Sequence, residues 1–145
     1  MNADEIKRHL GLEPLPLEGG YYVQTYRCDI ALPGSALPQR FEGTRRISTA
    51  IYYLLTPDTF SAMHRLAGDE VYHFYLGDPV ELLELHRDGG SRRVVLGPDL
   101  LAGQRVQHVV PRRVWQGSRL LPGGRFALLG TTMAPGFDVR DYESG

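Results

Sequence analysis

The sequence predicts an all-β domain, a sandwich or a closed barrel of many short strands, preceded by one short helix. Three observations predict it. Short apolar and β-branched runs recur from Tyr21 onward. Turn-forming residues separate them, and Asp88-Gly89-Gly90 and Pro122-Gly123-Gly124 suit hairpin turns. The runs do not alternate with helical segments as a parallel α/β sheet would require. At 145 residues the chain is long enough to bury a sizeable core, and one domain over residues 1–145 is expected.

Asn2 to Leu10 reads as the helix. Asn2 can cap it, Asp4 and Glu5 suit its positive end, Ile6 and Leu10 share a face, and Gly11 can stop it. Glu13 to Gly20 (EPLPLEGG) is an irregular approach, because two prolines prevent regular helix. Strand-like runs follow at Tyr21–Arg27, Ser48–Leu55, Glu70–Leu76, Val80–His86, Arg92–Leu96, Gln104–Val110, Ser118–Leu121 and Arg125–Met133. Pro33 to Gly43 reads as a long surface loop. Ala134 to Glu143 is polar and turn-rich, and is expected to pack across the domain rather than add a regular strand.

Sixteen Lys and Arg against seventeen Asp and Glu leave a formal charge of −1. That balance argues against a nucleic-acid partner, which needs a surplus of cations to displace counterions. Cys28 is alone, so no intrachain disulfide can form. The first thirty residues mix charges and lack an apolar core, unlike a signal peptide, and no run approaches a membrane span. A cytoplasmic protein without a membrane partner is expected.

Ser61 to Gly77 carries the chemistry: His64, Glu70 and His73 stand among apolar strand-like residues. Imidazole can transfer a proton or ligate a transition metal, and a buried carboxylate requires a partner. Regular strand geometry sets Glu70 and His73 on opposite faces, because their separation is odd. Both can join one site only with a bulge or a turn between them. Tyr72 and Phe74 share one face, and His73 and Tyr75 share the other. Tyr52, Tyr53, Tyr72 and Tyr75 can supply pocket hydroxyls or apolar walls. Trp115 is a candidate pocket wall, and Gln116 a hydrogen-bonding group beside it. No nucleophile elbow, phosphate loop or cysteine cluster is present.

These segments resemble the cupin superfamily, and within it the uncharacterised Cupin_5 or DUF985 branch. The resemblance runs through EGGYYVQTYR, TAIYYLL, SAMHRLAGDEVYHFYLGDP, LGPDLLAGQRVQHVVPRRVWQGSRL and APGFDVRDYE. It implies a double-stranded β-helix, or jelly-roll barrel, and a homodimer. It also implies a first motif matched by Glu70 and Gly77, with His64 near its histidine region but without the His-x-His pair. A second motif starts at Pro111, with Gln116 where its histidine would stand. Similarity to sugar-nucleotide epimerases with a metal-free cavity makes His64 a candidate general base with a neighbouring tyrosine as acid. Thr25 and Arg27 would contact a polar ligand at the entrance.

The leading expectation is a protein binding a small polar, carbohydrate-like organic molecule. Its catalytic candidates are His64 and Glu70, and its ligand-binding candidates are Thr25, Arg27, His73, Tyr75, Trp115 and Gln116. A metal-independent epimerase or isomerase, a metal-dependent enzyme and a non-catalytic dimeric or regulatory module are the alternatives. The sequence assigns no cofactor and leaves metal binding open.

Overall fold

The computed structural model describes residues 1–145. Helix α1 spans Ala3–Leu10, with the Asn2 side chain accepting from the Glu5 amide at 2.9 Å and Gly11 closing it at φ 68°. Thirteen strands follow: β1 (Glu13–Pro14), β2 (Tyr21–Arg27), β3 (Ala31–Leu32), β4 (Arg45–Arg46), β5 (Thr49–Leu55), β6 (Ser61–Arg65) and β7 (Glu70–Gly77). The remainder are β8 (Val80–Leu85), β9 (Ser91–Leu96), β10 (Gln107–Val110), β11 (Trp115–Leu120), β12 (Ala127–Met133) and β13 (Glu143–Ser144).

They form a six-stranded sheet in the order β1-β2-β5-β12-β7-β10, a five-stranded sheet β13-β6-β11-β8-β9, and the small pair β3-β4. Alternation along each strand decides the faces. Tyr53 and Leu55, Tyr72, Ala127 and Leu129 of the larger sheet meet Val80, Leu82, Val94, Leu96 and Leu120 of the smaller in one core. The residues between them point outward. Leu54 and Leu128 join Ile6 and Leu12 in a second cluster beneath α1.

This architecture corrects the jelly-roll barrel expected from the resemblance. No sheet closes on itself; the two large sheets form an open sandwich. Closure requires edge strands to exchange a continuous ladder of backbone hydrogen bonds. Here the outer strands β1 and β13 hold two residues each, and β10 holds four. Only the isolated bridge Leu96–Arg105 forms between the end of β9 and the approach to β10. Side-chain packing rather than a ladder joins the layers.

Two turns behave differently. Asp88-Gly89-Gly90 joins the antiparallel pair β8 and β9, as a hairpin turn should. Pro122-Gly123-Gly124 is a corner instead, since β11 and β12 belong to different sheets. The third strand of the small sheet also extends further than its apolar run: β11 begins at Trp115, before Ser118. Polar Gln116 is tolerated there because both its amide oxygen and its amide nitrogen find a hydrogen-bond partner inside.

Candidate functional site

A cavity of about 290 Å³ lies against the inner face of the six-stranded sheet. Its strand walls come from β2 (Tyr22), β5 (Thr49, Ile51, Tyr53), β7 (Glu70, Tyr72) and β12 (Thr131, Met133), with Leu66 from the segment after β6. Two irregular straps complete it. The first brings Leu15 to Glu18, and the second brings Phe137, Val139 and Tyr142.

Glu70 and Tyr72 share the inward face of β7. The pairing of β7 with β10 and β12 is regular from Glu70 to His73, so His73 turns to the outer face. There its Nε2 lies 3.0 Å from Thr132 Oγ1, and its ring stacks on Tyr75. The opposite holds on β6, where a register shift sets four residues, Ser61 to His64, against three on β11, Gln116 to Ser118. That bulge lets both Ser61 and His64 face inward despite their odd separation.

One hydrogen-bonded group surrounds Gln116, which is 2% exposed. Tyr72 Oη donates to Gln116 Oε1 at 2.6 Å, and Gln116 Nε2 donates to Glu70 Oε1 at 2.9 Å. The amide is therefore oriented by a donor on one side and an acceptor on the other. A second group surrounds Glu18. Ser61 Oγ donates to Glu18 Oε2 at 2.8 Å, and His64 Nε2 lies 3.5 Å from Glu18 Oε1. The Glu18 carbonyl also accepts from the Ala62 amide at 2.8 Å, which pins the first strap to β6.

His64 is 1% exposed and does not line the cavity. Its Nδ1 lies 2.7 Å from the Ala62 carbonyl, which can only accept, so Nδ1 carries a proton. Nε2 is left facing Glu18, and the ring stacks on Tyr142 with centroids 5.2 Å apart. His64 thus supports Glu18 from behind.

Burial pushes the Glu18 carboxyl above its ordinary 4.5, opposed by His64 and reinforced by the charge of nearby Glu70. Burial, then the charge of Glu18, raises the Tyr53 hydroxyl well above its usual range. Burial followed by the charges of Glu70 and Glu18 does the same at Tyr72. Both phenols stay neutral donors at physiological pH.

A raised carboxyl pKa means the folded state holds its proton more tightly than the unfolded chain. Ionised Glu18 therefore costs stability near neutrality, and the cost is relieved as pH falls through its folded value toward 4.5. Glu18→Gln is expected to raise the melting temperature at pH 7. That gain should shrink as the melts are moved toward pH 4, and a lower melting temperature at pH 7 would contradict the account.

The remaining sequence candidates lie apart from this cavity. Thr25 and Arg27 are exposed on β2, beyond its short pairing with β1. Tyr75 is 46% exposed on the outer surface. Trp115 faces away from Gln116's side of β11, with the Arg65 guanidinium 4.8 Å over its ring. His64, Glu70 and Gln116 are brought together; Thr25, Arg27, His73, Tyr75 and Trp115 are not.

Sequence reasoning missed Glu18 as a site residue, because it sits in a proline-interrupted strap without periodicity. It also missed Glu84, 1% exposed, whose oxygens lie 2.7 Å from His108 Nε2 and 3.1 Å from His86 Nε2. No group of three or more His, Cys, Asp or Glu is arranged to hold a metal. The donor set does not fit one at His64 either: Nδ1 is spent on a carbonyl, His73 lies on the far face, and both ends of the Gln116 amide are engaged by Tyr72 and Glu70. No helix is long and apolar enough to cross a membrane.

Comparison with known proteins agrees with this architecture. An uncharacterized protein of Saccharomyces cerevisiae is 32% identical over 135 residues, covering 86% of this chain; the chain spans 66% of that relative's length. A hypothetical protein from Leishmania major matches 99% of this chain and 86% of its own with a TM-score of 0.88 and 30% identity. A protein from Shewanella oneidensis matches 100% of this chain and 85% of its own, with a TM-score of 0.88 and 34% identity. Oxalate decarboxylase from Bacillus subtilis, a protein with Mn(II) centres, shares the fold alone at 12% identity and a TM-score of 0.61, over 92% of this chain and 30% of its own. The family described as the cupin superfamily (DUF985), Cupin_5, matches residues 4–145, and the chain belongs to it.

Proposed function

We propose that this protein binds a small polar organic molecule in the cavity that its six-stranded sheet and the two straps enclose. One observation carries the reading: two carboxylates, Glu18 and Glu70, converge from separate elements on an otherwise largely apolar cavity. Leu15, Ile51, Leu66 and Met133 offer apolar wall, whereas the carboxylates and the Tyr53 and Tyr72 hydroxyls can fix orientation. A few convergent polar groups in an apolar cavity are what small-molecule sites require.

Calorimetric titration with a panel of monosaccharides, polyols and small amines tests this. At least one class should bind the native chain, and Ile51→Trp, which fills the cavity from β5, should reduce that affinity at least about tenfold, or about 1.4 kcal/mol. Unchanged affinity in a folded Ile51→Trp protein would place the ligand elsewhere and overturn the reading.

Metal-independent proton transfer, as in an isomerase or epimerase, is the second reading. The raised Glu18 carboxyl, backed by His64, favours it, because a general acid or base works best with its pKa moved toward the operating pH. In this scheme Glu18 exchanges the proton and His64 positions it. Chelator-insensitive exchange of a ligand C–H for deuterium, lost in Glu18→Gln, would distinguish an enzyme from a binding protein.

A further inference from the structure

The charge balance of the cavity selects among polar ligands. Glu18 and Glu70 both line it, and no lysine or arginine does. His64 is the only basic side chain in ion-pair contact with either carboxylate, and it lies behind Glu18 rather than in the wall. Glu70 accepts from the neutral Gln116 amide at one oxygen, so no cation offsets its charge there.

The walls add a second, independent preference. Tyr22, Tyr53, Tyr72, Tyr142 and Phe137 place five aromatic side chains around this small volume. Aromatic faces carry negative electrostatic potential and attract organic cations, most strongly where water is excluded.

An anion entering the cavity would meet two carboxylates and no fixed cation. A neutral polyol could donate to those oxygens but would leave their charge uncompensated. An alkylammonium ion compensates it and lays its alkyl groups on the apolar wall. At about 290 Å³ the cavity admits only a small one.

We propose that the cavity binds a small organic ammonium ion, with Glu18 and Glu70 as counter-charges and the surrounding aromatic rings as its walls. This rests on the small-molecule reading above and names the group recognised.

The test compares three ligands of similar bulk on the full chain by titration calorimetry: choline, neutral 3,3-dimethylbutan-1-ol and anionic 3,3-dimethylbutanoate. Choline should bind at least about tenfold more tightly than the alcohol, and the carboxylate should bind more weakly than both. Glu70→Gln should erase most of the difference between choline and the alcohol, with its melting curve checked in parallel. The native-protein comparison stands even if that variant fails to fold.

Equal or tighter binding of the alcohol or the carboxylate would overturn the ammonium assignment while leaving a small-molecule cavity. Binding of none of the three would also overturn it. Failure of the wider panel as well would overturn the small-molecule reading.

Discussion

Replacing Arg45 with methionine is expected to destabilise the protein by about 3–5 kcal/mol. The two side chains of the Arg45–Asp141 pair are 1% and 3% exposed, with Nη2 to Oδ1 at 2.8 Å. Nε reaches Oδ2 at 3.4 Å, and the guanidinium also donates to the carbonyls of Glu42 and Thr44. Methionine retains much of the buried volume but leaves the Asp141 carboxylate inside without its cation. The penalty comes from that stranded charge more than from the attraction lost.

Urea denaturation should show a lower midpoint with an unchanged slope. The double substitution Arg45→Met with Asp141→Leu should recover most of the loss, because it removes both buried charges. A single-variant loss below about 1 kcal/mol would mean the pair behaves as an exposed one. The change should also reach the cavity. Asp141 anchors the strap that contributes Phe137, Val139 and Tyr142, so ligand affinity should fall together with stability.

The second large effect is expected at the other strap. Gly19 has φ +102°, and a Cβ there would lie 2.3 Å from the Phe60 carbonyl oxygen. Gly19→Ala combines an unfavourable backbone conformation, about 1–2 kcal/mol, with overpacking, about 1–3 kcal/mol, for about 2–5 kcal/mol in all. Because backbone lies on both sides of the clash, the strap itself must shift.

That shift would move neighbouring Glu18 and the Gly19 carbonyl, which accepts from Tyr53 Oη at 2.6 Å. Ligand affinity should consequently fall further than stability alone explains, measured at a temperature where the variant is still folded. Gly89→Ala is the control: it also has positive φ, +86°, but nothing lies within 4 Å of the added carbon. It should cost only the backbone term and leave affinity intact. Equal losses in the two variants would show that the Phe60 contact is not what constrains Gly19.

Particular residues show what was legible before the fold was known. Asn2 and Gly11 act on their own helix ends, and the structure uses both. The odd spacing of Glu70 and His73 predicted opposite faces, and regular pairing puts them there. The same rule applied to Ser61 and His64 would have separated them, but the bulge opposite β11 unites them. A bulge depends on the partner strand, so one strand's sequence does not reveal it.

The composition of the site required more distant information. Glu18 and Ser61 are 43 residues apart, and Gln116 and Glu70 are 46 apart. Nothing in the neighbourhood of either carboxylate announces the other. Likewise, Pro122-Gly123-Gly124 announces a turn without saying whether the next strand stays in its sheet or crosses to the facing one. Edge pairing, too, decided against a barrel although many short strands were evident.

Short-range physics accounts for this division. Capping, side-chain alternation and backbone preference at glycine or proline depend on a few adjacent residues, so helix, strands and turns could be read along the chain. Sheet closure, burial of charge and the meeting of Glu18, His64, Glu70 and Gln116 depend on which distant surfaces exclude water together. Those relations come into existence only when the two sheets pack and the straps cross the inner face of the larger one.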